Sequence, residues 1–247
     1  MILKGTVAII TGSSGRLGGA IATALAEGGC NCICHYNRNE RAVKIIVEQI
    51  REMGRKALAV GADLSKHSGV EDLFERAGEF GTPQILINSA AVFSKQPLEQ
   101  VTFEEAQKVL NLNLIAPILA SRVFAKQIHA EFGDADSAVG KIINIADVGG
   151  IRPWAGYVLY CSSKAGLIGV TKALAKELAP AICVNSIAPG VVTLPSDSDQ
   201  SQKQRQLKHI PMGRVADLNE ITDSILFLLK NDYMTGQVLN VDGGRCI

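Results

Sequence analysis

An excess of charge of either sign is missing from this chain. Lysine and arginine number 25 against 24 acidic residues, a formal net charge of +1. That excludes the basic footprint of a nucleic-acid or membrane-surface protein. No apolar run approaches the roughly 20 residues that cross a bilayer. Met1 to Gly5 offers no apolar signal segment, and the run Val7–Ile10 ends in a glycine-rich turn. There is no C-x-x-C and no His/Cys cluster with zinc spacing, so no metal is expected. Of the six cysteines, Cys30, Cys32 and Cys34 alternate. On a strand they share one face and do not bridge comfortably. They read as small buried hydrophobes in a reducing cytoplasm. Cys161 adjoins Tyr160, but helical neighbours point about 100° apart, and it is given no chemical role.

What is present is an ordinary globular balance, 47% apolar and 20% charged over 247 residues, enough for one domain with a full core. Apolar β-rich runs alternate with helical stretches. Strands are expected at Thr6–Thr11, Asn31–Tyr36, Lys56–Val60, Ile85–Asn88, Lys141–Ala146, Ile182–Ala188 and Gln237–Val241. Helices are expected at Ala20–Ala26, Arg41–Met53, Val70–Phe80, Phe103–Ala130, Gly156–Leu178 and Asp217–Leu229. This order predicts an α/β fold, a doubly wound Rossmann-like parallel sheet of about seven strands in a single domain spanning 1–247. The polar stretch 191–212 is expected to be a substrate loop or lid. The middle of the Gly156–Leu178 helix is small or apolar all round, so both sides are expected to be covered, one of them by a partner subunit.

Ligands of such sheets sit beyond the carboxyl ends of the strands. Gly12-Ser13-Ser14-Gly15-Arg16-Leu17-Gly18 follows the first strand and opens a helix. Glycines there let the backbone approach a pyrophosphate, and a helix N-terminus offers free N–H groups. The second strand ends in His35-Tyr36-Asn37-Arg38 rather than the acid that would bind ribose hydroxyls. Arg38 and Arg16 are suited to a 2′-phosphate, which predicts NADPH. Asp63, before Leu64, either caps the next helix, the safer reading, or meets the adenine. Asn88-Ser89-Ala90 and Pro189-Gly190 end two further strands. Phe93 has two readings, core, which a loop aromatic favours, or a platform for a flat ring. Asn113 falls in mid-helix, where asparagine usually has a task.

Tyr160 and Lys164 are four residues apart, on one helical face. An ammonium there favours the phenolate and is expected to lower the tyrosine's pKa. Asp147 lies thirteen residues before Tyr160.

Thr11-Gly12…Gly18, Asn88-Ser89-Ala90, Asn113, Tyr160…Lys164, Pro189-Gly190 and Asp242-Gly243-Gly244, in this order and spacing, resemble the short-chain dehydrogenase/reductase family over essentially the whole chain. The resemblance implies NAD(P)H-dependent hydride transfer, with Tyr160 as proton donor, Lys164 on the nicotinamide ribose and Asn113 holding a relay water. It also implies a tetramer. Two departures stand out. Asp147 occupies the place of the family's serine, and Arg16 that of the middle glycine of the turn. Both are similar to the pteridine reductase branch, as are His35–Arg38 and the aromatic Phe93. That likeness implies a pterin sandwiched between nicotinamide and Phe93, with Arg16, Asp147 and Tyr160 as further substrate contacts.

The chemistry points the same way. An ionised Asp147 cannot donate a hydrogen bond to a carbonyl, and it repels a developing alkoxide. A heterocycle with amino and ring N–H groups can donate to it. The leading expectation is an NADPH-dependent reductase of pterin-like or dihydrofolate-like substrates. Two rivals are a carbonyl reductase, such as one acting on 3-oxoacyl thioesters, and a non-catalytic NADPH-binding sensor.

Overall fold

The structure is a computed structural model and describes residues 1–192, 204 and 207–247. Its strands are β1 (Val7–Ile10), β2 (Asn31–Tyr36), β3 (Ala57–Gly61), β4 (Ile85–Asn88), β5 (Gly140–Ile145), β6 (Ile182–Pro189) and β7 (Val238–Val241). The helices between them are α1 (Arg16–Glu27), α2 (Glu40–Glu52), α3 (His67–Gly78), α4 (Phe103–Leu110), α5 (Ala116–Phe132), α6 (Val158–Glu177) and α7 (Leu218–Lys230). One π-helical turn, Asn111–Ile115, joins α4 to α5.

The sheet has seven strands in the order β3-β2-β1-β4-β5-β6-β7, every pair parallel. Continuous apolar runs such as Ile85-Leu86-Ile87 suit strands buried on both faces. Successive residues serve opposite cores. Ile10, Cys32, Cys34 and Ile85 pack with Leu25 of α1, Val47 of α2 and Leu229 of α7. Ile9, Ile33 and Leu86 pack with Phe74 of α3 and Phe124 of α5. The sheet order reverses between β1 and β4, which opens a crevice at their carboxyl ends.

Most expected elements are present, with shifted ends. Helix α1 begins at Arg16, four residues before the expected Ala20. The reason is close packing: a Cβ on Gly18 would collide with the Gly12 carbonyl, so this glycine permits contact inside the helix rather than stopping it. Phe103–Phe132 is long and apolar enough to cross a membrane by length and composition, with mean hydropathy 1.3, which corrects the expectation that no stretch came near. Its Ala116, Ala120, Phe124 and Ile128 are buried at helical spacing and pack in the sheet core, which gives that apolar content an intramolecular destination.

The cysteines are all free, and Cys30, Cys32 and Cys34 lie together in one core, as expected. Burial pushes the Cys34 thiol up to about 12. One side of α6 is covered within the chain. Leu167, Thr171 and Ala175 are buried, while Ala165 and Gly169 are exposed in the single chain. Most of the 191–212 segment, residues 193–203 and 205–206, lies outside the described residues.

Candidate active site

The cleft begins where β1 and β4 end. Thr11 Oγ1 accepts from the Ser89 and Ala90 N–H groups, at 2.9 and 3.0 Å. Gly12 has φ +72, and a Cβ there would stand 2.9 Å from Ala90 Cα. Buried His35 braces the turn from behind. Its Nδ1 accepts from Gly12 N at 3.1 Å, and its Nε2 lies 3.0 Å from Ala62 O. A carbonyl only accepts, so Nε2 carries the proton and the ring is neutral. Burial lowers the His35 pKa, against the opposing hydrogen bond to Ala62 and the charge of Asp63.

The cleft holds about 890 Å³, within the usual range for small-molecule sites. Gly12, Ser14, Arg16, Leu17 and Gly18 line it from the turn, His35, Asn37 and Arg38 from the end of β2, and Asp63 and Leu64 from the end of β3. Ser89 and Ala90, Asp147, Tyr160 and Lys164, and Pro189 and Gly190 complete the wall.

Five predicted residues stand outside that wall. Ser13 is fully buried and donates to Ile10 O at 2.8 Å. Tyr36 lies over Gly61, whose Cβ would meet its ring at 2.9 Å. Asn88 donates to Asn144 Oδ1 at 2.8 Å, which ties β4 to β5. Asn113 donates to Val92 O and Ser163 Oγ and accepts from Val92 N. Both amide hydrogens are thus committed within the chain. The fifth is Phe93. It is 62% exposed, so the core reading is wrong. It stands at the mouth, stacked on Tyr157 at 5.0 Å and edge-on to Tyr160 at 4.7 Å.

Asp63 is not a helix cap either. The N-cap position of α3 is Lys66, and Asp63 accepts from Ser65 Oγ and Ser65 N at 2.7 and 3.2 Å. The Ser65 hydroxyl, ahead of the nearby Lys66 and Arg38 charges, lowers its pKa. Sequence reading passed over Asn39, Ser65, Lys108 and Leu112 in the wall. Lys108 and Leu112 share a face by their spacing of four, a signal hidden by ignorance of which face met the cleft. It also passed over Trp154 and Tyr157, which sit in a loop without periodicity.

At the other end, the Asp147 carboxylate accepts from Gly149 N through Oδ1 at 2.7 Å and from the Tyr160 hydroxyl through Oδ2 at 2.8 Å. Lys164 is buried and donates to Ile145 O at 2.7 Å. Its Nζ is 5.8 Å from the Tyr160 ring centroid. A Cβ on Gly150 would press on the Lys164 backbone at 2.7 Å, so the loop after Asp147 packs directly on α6.

This geometry corrects the expected proton balance. Tyr160 is pushed up, not down, first by burial and then by the Asp147 charge and hydrogen bond. Lys164 gives its hydrogen bond to a carbonyl, and the charge facing the phenol is Asp147. Burial raises Asp147 as well, opposed by the Gly149 N–H, by Tyr160 and by the Lys164 and Arg245 charges. Burial brings Lys164 down to about 8. The phenol therefore keeps its proton and stands as a donor.

A parallel sheet with a switch-point crevice, a glycine-rich turn and a Tyr–Lys pair defines the class of α/β oxidoreductases that use a nicotinamide dinucleotide. A family model described as enoyl-(acyl carrier protein) reductase matches residues 13–245. The chain belongs to the short-chain dehydrogenase/reductase family. It is 36% identical to 3beta-hydroxysteroid dehydrogenase 1 of Eggerthella lenta, over 99% of this chain and 95% of that one. It is 32% identical to the 3-oxoacyl-(acyl-carrier-protein) reductase of Synechocystis, over 98% and 97%. A short chain dehydrogenase from Burkholderia cenocepacia, solved in complex with NADP, superposes with a TM-score of 0.90 at 29% identity, covering 100% of both chains.

Proposed function

We propose that the protein reduces C=N bonds of flat, nitrogen-rich heterocycles of the dihydropterin or dihydrofolate type, using NADPH. The observation that carries this reading is the 2.8 Å hydrogen bond from the Tyr160 hydroxyl to Asp147 in a buried setting. With its proton directed at Asp147, the phenol turns a lone pair toward the substrate. The reacting end then offers acceptors, and the complementary substrate brings amino and ring N–H donors.

The cleft fits the cofactor. A Cβ on Gly12 or Gly18 would crowd the turn, where Ser14 and Arg16 would meet the phosphates. Arg38 would pair with the 2′-phosphate, and Lys164 would hold the nicotinamide ribose. Bound NADPH supplies the hydride. The substrate nitrogen gains one proton in the same reduction, and the Tyr160 hydroxyl, which rests on Asp147, turns from it to give that proton. Asp147, whose pKa burial raises, restores the Tyr160 proton and takes its own from solvent.

A second reading, reduction of a carbonyl compound, is favoured by the names of the relatives. It draws on the same upward shift of Asp147, because a protonated carboxyl donates to a carbonyl as a serine would. The exposed Val158, Ile115 and Ile118 support a homo-oligomer covering α6, and the free cysteines fit a reducing cytoplasm.

The test is NADPH oxidation with dihydrobiopterin, dihydrofolate and an acetoacetyl thioester. Turnover of the pterins is expected to fall about a hundredfold or more in Asp147→Ser, with thioester turnover rising. Turnover of the thioester alone by the unaltered protein would overturn the pterin reading in favour of the second.

A further inference from the structure

A row of aromatic rings leads out of the cleft from Tyr160 and ends at two cations. Phe93 lies edge-on to Tyr160 and stacks on Tyr157. Trp154 stands edge-on to Tyr157 at 5.8 Å and to Phe93 at 6.5 Å. The Arg245 guanidinium lies 5.3 Å from the Trp154 ring centre, a cation–π placement. Arg152, exposed, donates to the Arg245 carbonyl at 3.1 Å, which holds a second positive charge beside the first. The neighbouring acid, Asp242, has both oxygens engaged by the Gly244 and Cys246 N–H groups.

We propose that this row is a subsite for the substrate's tail: an aryl group bearing a carboxylate, its ring on Phe93 and Trp154 and its anion at Arg245 and Arg152. The order of chemistry along the row argues for it. A negative group, Asp147, marks the reacting end, the rings follow, and the cations come last. A substrate entering head first would meet N–H acceptors, then an apolar aromatic wall, then positive charge. Two arginines match a tail of one or two carboxylates and are too few for a polyanion. The head's placement rests on the pterin reading above, whereas binding of the tail does not.

The test uses the tail alone and the whole substrate. Calorimetric titration of the NADP-loaded protein with p-aminobenzoyl-glutamate is expected to show saturable binding. Arg152→Ala/Arg245→Ala should weaken it by about tenfold or more, and Trp154→Leu should weaken it independently. The ratio of kcat/KM for dihydrofolate to that for dihydrobiopterin should fall by a similar factor in the double variant. Absence of saturable heat, or an unchanged ratio in a double variant that still binds NADP, would overturn the subsite even if both pterins are reduced. Tail binding without reduction of either pterin would keep the subsite and sink the pterin reading.

Discussion

The two ends of the cleft are built from different materials. The dinucleotide end is backbone: the Gly12 and Ser13 amides are fixed by His35 through Nδ1 and its carbonyl, and glycines leave room where a Cβ would strike the main chain. The reacting end is buried ionisable side chains, Asp147, Tyr160 and Lys164, each with its pKa displaced by desolvation. Backbone amides carry no titrating proton of their own, which suits holding a phosphate. Burial displaces the proton affinities of acids and bases from their solution values, which can be matched to chemistry and costs stability. Substitutions at the two ends should therefore fail in different ways.

The sharpest break is Tyr160→Phe. It removes the proton donor and leaves the dinucleotide end untouched. Turnover should fall by about a thousandfold, the middle of the range for a positioned acid, while NADPH affinity measured by fluorescence stays within a fewfold. A matching loss of NADPH affinity would mean that the two ends are not separable.

Next in size is a pH signature. Lys164 falls from 10.5 to about 8 on folding, so the unfolded chain binds its proton more tightly. Its contribution to stability is complete above about 10.5 and is lost as pH falls through about 8. Urea stability of the protein without cofactor should climb across that window, by up to roughly 3 kcal/mol for a shift of this size. In Lys164→Met that part of the slope should vanish. An identical slope in the variant would show that Lys164 is not the group responsible.

The same division explains what could be read from the sequence. Elements buried on both faces announce themselves, as Ile85–Asn88 does, because a continuous apolar run between turn residues has few other homes. The wall residues of the turn, Gly12, Ser14 and Arg16 to Gly18, were legible because strand, glycines and helix follow one another locally. The proton balance was not. Tyr160 and Lys164 share a face, but only the fold shows Lys164 turned to Ile145 O and Asp147 turned to the phenol. Asn113 was rightly singled out, yet its partners Val92 and Ser163 come from elsewhere in the chain. The core reading of Phe93 and the cap reading of Asp63 failed because a loop has no periodicity to say what a side chain faces.

At the dinucleotide end, Arg38→Ala should raise the KM for NADPH by about tenfold, the worth of one charged hydrogen bond. The KM for NADH should barely move. If both rise equally, Arg38 supports the fold of the cleft rather than the 2′-phosphate.

The last test probes the backbone end through its buried titrating prop, His35. His35→Ala strips the acceptor from Gly12 N and the donor from Ala62 O, which should cost about 1–3 kcal/mol at pH 8. His35 is depressed below 6.5 in the folded chain, so its stabilising effect is present above that value and is lost as pH falls through the lower folded pKa. The unaltered protein should weaken as the medium is acidified from about pH 6.5, and the variant, with no imidazole to protonate, should weaken less. NADPH affinity should follow the same curve, because the Gly12 amide is held only while the ring is neutral. Equal acid sensitivity in both proteins would assign the acid response to other groups and leave the glycine-rich turn as indifferent to pH as a pure backbone site.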